Sequence, residues 1–502
     1  MFVPIESFLY FCILCRMPTR FAAIASVALL LAASAAGRSD SQAPPSPVSP
    51  VPSASQLRWH ALEFYGFLHF GPNTFTNKEW GYGDEDEAAF NPTLLDARQW
   101  AQVARDAGMK GLILTAKHHD GFCLWPSRFT RHSVAASPWW RNGRGDVVAE
   151  LARACRELGL KFGVYLSPWD RNHAEYGRPQ YLTYYRNQLR ELLADYGPVF
   201  EVWFDGANGG DGFYGGARET RRIDNRTYYD WPNTWSLVRA LQPAAVMFSD
   251  AGPDVRWVGN EKGIAFETTW YGLDRSSTYP GDPRYAGQLA RGRIDASDYV
   301  PPEVDVSIRP GWFHHPEEDG RVKSVAELME IYYSSIGRGA NLLLNVPPDR
   351  RGLIPGADAE RLREFRRALD EAFARDLARE ASATAAAVRG GAEGFSAARV
   401  NDGDPETYWA TDDGVTTGSV ELAWKEPVTF DKVVLQEAIA LGQRVQGWRL
   451  EASVDGTWRA LAEGTSIGYK RIARFERVTT GRLRVSITAA RACPTLSTVG
   501  AY

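Results

Sequence analysis

Cysteine is scarce in this chain, five residues in 502, and that scarcity excludes a scaffold built on disulfides. Charge of one sign is missing as well. The 57 Lys and Arg residues nearly balance 61 Asp and Glu, for a formal charge of −4, so nothing points to nucleic acid or an anionic membrane surface as partner. A ligand that is uncharged or nearly so fits this balance. No glycine-rich phosphate loop of the dinucleotide or Walker type follows any strand-like run, and no Gly-x-Ser-x-Gly elbow does either. Long apolar runs are absent too: the main one, Ala22 to Leu31, is too short to span a bilayer comfortably.

That short run has a use nonetheless. From Met17, a basic start (Met17-Pro18-Thr19-Arg20), the apolar core and the small residues Ala32 to Gly37 read as an export signal, which predicts a periplasmic or secreted protein. Residues 1–16 then form an upstream extension, the alternative being a longer signal or an anchor. Cys12 and Cys15 go with this region, leaving Cys123, Cys155 and Cys493, an odd number. Residues 38–55, rich in proline from Pro44 to Pro52, cannot bury a core and are expected to be an extended spacer.

From residue 56 to about 382, apolar strand-like runs alternate with amphipathic helical patterns. The runs are Tyr65–Phe70, Gly111–Ala116, Phe162–Leu166, Phe200–Phe204, Ala244–Ser249, Val304–Ile308 and Asn341–Val346. Helices are expected over Ala97–Ala107, Val147–Leu158, Tyr181–Leu193 and Thr234–Leu241, and a charged helix over Ala357–Ala381. Alternation over some 300 residues predicts an α/β fold, a (β/α)₈-like barrel, with a doubly wound sheet as the alternative. After residue 383 short alternating segments separated by turns predict an antiparallel β-sandwich to residue 502.

Polar groups recur at the ends of the barrel runs: His69, then Lys117-His118-His119-Asp120, then Tyr165, then Asp205 at the end of Val202-Trp203-Phe204 and before Gly206. In such folds the carboxyl ends of the strands face the active site, which makes Asp205 a candidate catalytic carboxylate rather than a turn residue. His69, His118, His119 and Asp120 also admit a zinc reading, weakened because adjacent strand residues point to opposite faces. The 17 tryptophans, many beside Gly, Pro and polar residues, supply faces of the kind that pack on sugar rings.

Four segments, Thr115 to Ser127, Val202 to Ala207, Val255 to Glu261 and Val306 to Phe313, resemble glycoside hydrolase family 29, the α-L-fucosidases, and its subgroup acting on α-1,3/1,4-fucosides. The resemblance runs from about Trp59 to the C-terminus. It implies a retaining exo-hydrolase of fucosylated oligosaccharides or glycoconjugates on a (β/α)₈-like barrel, with no metal or organic cofactor. It further implies Asp205 as nucleophile and Glu261 as acid/base, with Glu267 and Glu303 as rivals for the second role. Fucose would be held by His69, His118, His119 and Tyr165, with Trp312 against its methyl face. Glu79, Trp80 and Arg256 are further candidates for substrate contact, and His314-His315 is expected at the rim. Around Arg399 to Ala410 the chain resembles the galactose-binding-like domains appended to glycosidases. A non-catalytic or altered sugar-binding relative and another two-carboxylate barrel glycosidase are the competing readings.

Overall fold

The computed structural model describes residues 42–140, 143, 145–284 and 290–502, so the expected export signal lies outside the described residues. Eight parallel strands close a barrel: β1 (Phe64–Leu68), β2 (Gly111–Lys117), β3 (Lys161–Leu166), β4 (Glu201–Trp203), β5 (Val246–Ser249), β6 (Val255–Trp257), β7 (Pro302–Ser307) and β8 (Asn341–Asn345). Each pairs with its neighbours in chain order, and β8 pairs with β1 to close the ring. The strands are nearly continuous apolar runs because both faces are covered, which is the pattern a parallel sheet demands.

Helices pack outside most strands. A first helix, α1 (Ala54–His60), carries a Ser53/Gln56 capping box and sends Trp59 into the barrel interior. Around the wall run α2 (Ala97–Asp106), α3 (Val147–Leu158), α4 (Gln180–Ala194), α5 (Trp231–Leu241), α6 (Val325–Ser334) and α7 (Gly356–Ala372). The side chains of Asp96 and Asp146 cap the starts of α2 and α3, and α3 stops at Gly159 in the left-handed region at φ 74°. Between β5 and β6 there are only five residues and no helix, and the described part of the β6–β7 connection carries none either. This is a (β/α)₈-like barrel with two irregular crossovers. The charged helix expected to reach Ala381 ends at Ala372, where Phe373 leaves helical geometry.

The C-terminal region is antiparallel throughout. Strands β9 (Ser382–Ala385), β10 (Trp409–Ala410), β11 (Gly418–Glu437), β12 (Val445–Val454), β13 (Thr457–Gly464), β14 (Arg471–Ala490) and β15 (Thr495–Ala501) form one seven-stranded sheet around its own core, which includes Trp409, Leu422, Leu450 and Val485. Several short strands expected there are halves of the 20-residue β11 and β14, whose register breaks at Ala423/Val428 and Phe430/Lys432 let one strand change direction.

The proline-rich stretch is extended, but it is no free spacer. Arg389 Nε donates to the Ala43 carbonyl (2.7 Å), Arg444 Nη2 to that of Ser46 (2.6 Å), and Val48 N–H to that of Leu441 (2.9 Å). Proline lacks an N–H yet keeps its carbonyl, and an extended Pro-rich segment presents those acceptors outward. Arginines of the C-terminal domain collect them.

Candidate active site

Six of the eight strands line a cavity of about 410 Å³ at their carboxyl ends, directly or through the loops that follow them. Phe67 and His69 come from β1 and its exit, His118 and His119 follow β2, and Trp203 and Asp205 lie at the end of β4. Phe248 and Asp250 come from β5 and its exit, Trp257 and Glu261 from β6 and its exit, Asp305 from β7. Tyr165 of β3 and Asn345 of β8 act from behind this lining, through Asp205 and His69 respectively.

Asp205 is held from two sides. Tyr165 Oη donates to its Oδ2 at 3.0 Å and the Ala207 N–H to its Oδ1 at 2.7 Å, while His119 Nε2 stands 3.8 Å from Oδ2. Glycine follows it for a spatial reason: a β-carbon on Gly206 would meet Asp250 Oδ2 at 2.8 Å. Asp250 in turn receives the Gly281 N–H, and burial with the Asp205 charge raises its carboxyl to about 7. Tyr165 was expected to touch substrate. It is fully buried behind the lining rings of Phe67, His118 and Trp203, and its hydroxyl donates to Asp205.

Glu261 lines the same cavity. Its Oε2 accepts from Trp312 Nε1 at 3.2 Å. Burial raises its proton affinity above that of an ordinary glutamate, and the negative charges of Asp205 and Glu79 add to the effect. The two rivals stand elsewhere. Glu267 is 73% exposed and paired with Arg338 and Arg471, whereas Glu303 is sealed inside the barrel below the cavity.

The three histidines form a neutral wall. His69 Nδ1 contacts Asn345 Oδ1 at 2.9 Å and His119 Nδ1 contacts Ser167 Oγ at 2.7 Å, whereas His118 Nδ1 is buried with no protein partner. Burial lowers all three proton affinities, that of His69 to about 3, so at neutral pH each ring offers one donor and one acceptor. This suits hydroxyl groups rather than ions. As for the zinc reading, among the described residues no three His, Cys, Asp or Glu side chains are grouped to hold one ion. Asp120 is tied instead to Asn73 Nδ2 and the Phe122 N–H.

Glu79 accepts the N–H groups of Trp312 (2.9 Å) and Phe313 (3.2 Å) and contacts His315 Nε2 at 2.5 Å. It therefore fixes the Trp312 loop as well as lining the cavity. His315, expected at the rim, is a buried support under Glu79, and His314 contacts Asp319. Trp80 is 52% exposed, standing edge-on to His119 and Trp169 at the mouth. Arg256 does not line the cavity: its guanidinium is fully buried and donates to the carbonyls of Trp270, Ala290 and Val300, bracing the β6–β7 connection.

Phe67, Phe248, Asp250 and Asp305 are lining residues that the sequence reading did not select, while Trp203 and Trp257 are two of the tryptophans it read as faces for sugar rings. Asp305 accepts from Trp257 Nε1 at 2.7 Å, and burial, with the Glu261 charge, raises its proton affinity. Alternation within β7 was the available signal, since it places Glu303, Asp305 and Ser307 on one side of the strand.

Comparison with known proteins agrees with this architecture. A family model described as alpha-L-fucosidase matches residues 55–371, and a model of the F5/8 type C domain matches residues 380–497. The chain is 44% identical over 466 residues to alpha-L-fucosidase 1 of Arabidopsis thaliana, spanning 91% of this chain and 88% of that protein. It is similar to the crystal structure of a Ruminococcus gnavus GH29 fucosidase in complex with fucose, with TM-score 0.83 and 34% identity over 92% of this chain and 97% of that one. A glycoside hydrolase 29 family member from an unknown rumen bacterium aligns with TM-score 0.81 and 45% identity over 91% of this chain and 78% of its own. The chain belongs to the α-L-fucosidase family, glycoside hydrolase family 29.

Proposed function

We propose that the protein is an exported exo-acting α-L-fucosidase that removes terminal α-1,3/1,4-linked L-fucose with retention of configuration. The observation that carries this reading is the unequal treatment of two carboxyl groups in one cavity. Asp205 is held by hydrogen bonds from Tyr165 and Ala207, whereas burial and the charges of Asp205 and Glu79 raise the proton affinity of Glu261. Retaining hydrolysis needs that inequality. Asp205 attacks the anomeric carbon while Glu261 protonates the departing oxygen. Glu261 then takes a proton from water, which attacks the anomeric carbon from the face the aglycone left and displaces Asp205 from the opposite one, so that two inversions give retention.

His69, His118 and His119 offer uncharged donors and acceptors to ring hydroxyls, and Trp203, Phe67 and Trp312 supply apolar faces for the pyranose and its methyl group. The cavity falls in the ~300–1,000 Å³ range of sites that hold ligands of drug size, room for sugar beyond the fucose ring. Preference for branched 3/4-linked substrates rests on the subgroup motifs. Hydrolysis of a panel of 2-linked, branched 3/4-linked and aryl α-L-fucosides tests the reading, with ¹H NMR following the first anomer released. Preference for the 2-linked member overturns the linkage, and first release of β-L-fucose overturns retention.

A further inference from the structure

Below the cavity the barrel axis holds two carboxyl groups that this reaction does not use, Glu201 on β4 and Glu303 on β7, both fully buried. They belong to a closed polar cluster. Trp59 Nε1 donates to Glu201 Oε2 at 3.1 Å and to Tyr65 Oη at 2.8 Å, Tyr65 donates to Glu303 Oε2, and Trp203 Nε1 donates to Glu303 Oε1 at 2.8 Å. None of these partners is a cation. Glu201 Oε1 receives no N–H or hydroxyl from the protein, and Glu303 is joined to Glu201 within the cluster through Trp59 and Tyr65. Two bare carboxylates, fully buried and with no cation among their hydrogen-bonding partners, are too costly to persist. One proton held by the cluster leaves the two carboxyl groups with a single charge between them.

The cluster ends at the substrate cavity. The Trp203 ring lines it and stacks on Phe248 (4.1 Å, 8°) and on Tyr165 (5.4 Å, 26°), the residue that donates to Asp205. The indole N–H is the one polar handle on that ring, and its acceptor sets the tilt. We propose that Glu201 and Glu303 share one proton and that Glu303 is a positioning residue for catalysis: its remaining acceptor oxygen sets the plane of Trp203, and through Tyr165 the seat of Asp205. This rests on the reading of the cavity as a fucose site.

The test uses the full chain with Glu303→Gln, Glu201→Gln and Glu303→Leu, each also in a Trp203→Phe background, assayed for kcat and KM on an aryl α-L-fucoside and for fucose binding by calorimetry. Either single glutamine mimics a pair with one protonated and one ionised member and keeps the acceptor for Trp203, so kcat/KM should stay within about threefold of the unaltered protein. Glu303→Leu removes the acceptor and should lower kcat/KM about tenfold or more, with weaker fucose binding. In the Trp203→Phe background the same change should cost less than about threefold further, because the ring no longer has an N–H to orient. Equal losses in the two backgrounds overturn the proposal, as does a tenfold loss in either glutamine variant. If Glu303→Leu does not fold, the two glutamine variants decide alone, a tenfold loss in either refuting the shared proton. Absence of both turnover and fucose binding in the unaltered protein would instead refute the assignment of the cavity itself.

Discussion

Replacing Glu261 with alanine should separate substrates by their leaving groups. The carboxyl lies on the loop after β6 with Trp312 Nε1 at 3.2 Å, and the structure offers it no understudy. Glu79 is occupied by the Trp312 and Phe313 N–H groups and His315, Asp305 by Trp257, and Asp250 by Gly281. Glu267 lies on the surface and Glu303 in the barrel interior. The full contribution of a positioned acid, about 10²–10⁴-fold or roughly 3–5 kcal/mol, should therefore be lost for an oligosaccharide whose sugar oxygen must be protonated on departure. An aryl fucoside with a good leaving group needs little protonation, so its first step should survive. Loss of the base then slows ester hydrolysis, and kcat and KM should fall together as the glycosyl-enzyme accumulates. Azide, which needs no base, should restore turnover and yield α-L-fucosyl azide. The measurements are kcat and KM on both substrates, a mass shift of one fucosyl residue on the protein, and NMR of the azide product. Equal losses on the two substrates with no azide adduct would remove Glu261 from the acid/base role.

Asp205→Ala should fold normally and lose fucoside hydrolysis by at least about 10⁴-fold, with azide now giving the inverted β-L-fucosyl azide; near-normal turnover ends its assignment as nucleophile. Trp312→Phe deletes a hydrogen bond that favours the ionised form of Glu261, so the acid should keep its proton longer and the alkaline limb of the kcat/KM profile should move to higher pH; a move to lower pH contradicts this. Asp250 has its proton affinity raised to about 7 from an ordinary aspartate's 3.8, so its neutral form stabilises the fold below about pH 4 and that contribution is lost as pH rises through 7. Asp250→Asn should flatten this part of the stability curve by about 1–2 kcal/mol, since the side chain still meets the cavity, and an unchanged slope in urea melts at pH 4.5, 6 and 7.5 refutes it. Deleting residues 42–50 strips acceptors from the guanidinium groups of Arg389 and Arg444 and should destabilise the protein by about 1–3 kcal/mol, read by calorimetry; an unchanged melt would show the docked segment to be dispensable.

Much of the barrel was legible in the chain because a parallel strand covered on both faces must be an apolar run, and seven such runs are long enough to stand out. The eighth, Val255–Trp257, is three residues of which the middle one is arginine. Nothing in its composition marks a strand. It is held by pairing with β5 and β7, and the bonds of Arg256 to distant carbonyls exist only once the β6–β7 connection has folded back. For the same reason Arg256 looked like a neighbour of Glu261 and is not one: adjacent positions on a strand face opposite sides, so three residues of chain lead from the barrel wall to the cavity.

The chain alone carried the two-domain α/β and β organisation, the strand-end placement of His69, His118, His119 and Asp205, and the family. These depend on local periodicity and contiguous motifs, which survive without coordinates. Glu261, Glu267 and Glu303 are equivalent carboxylates in one dimension, and coordinates are needed to separate them by what surrounds each: a cavity wall shared with Asp205, an exposed arginine pair and a sealed barrel axis. The tertiary structure also turned Tyr165 from a substrate contact into a support for Asp205 and brought Asp250 and Asp305 to the cavity. Burial and nearby charge are properties of a place, and the place is made by strands whose order around the barrel closes only when the last residues of β8 meet β1.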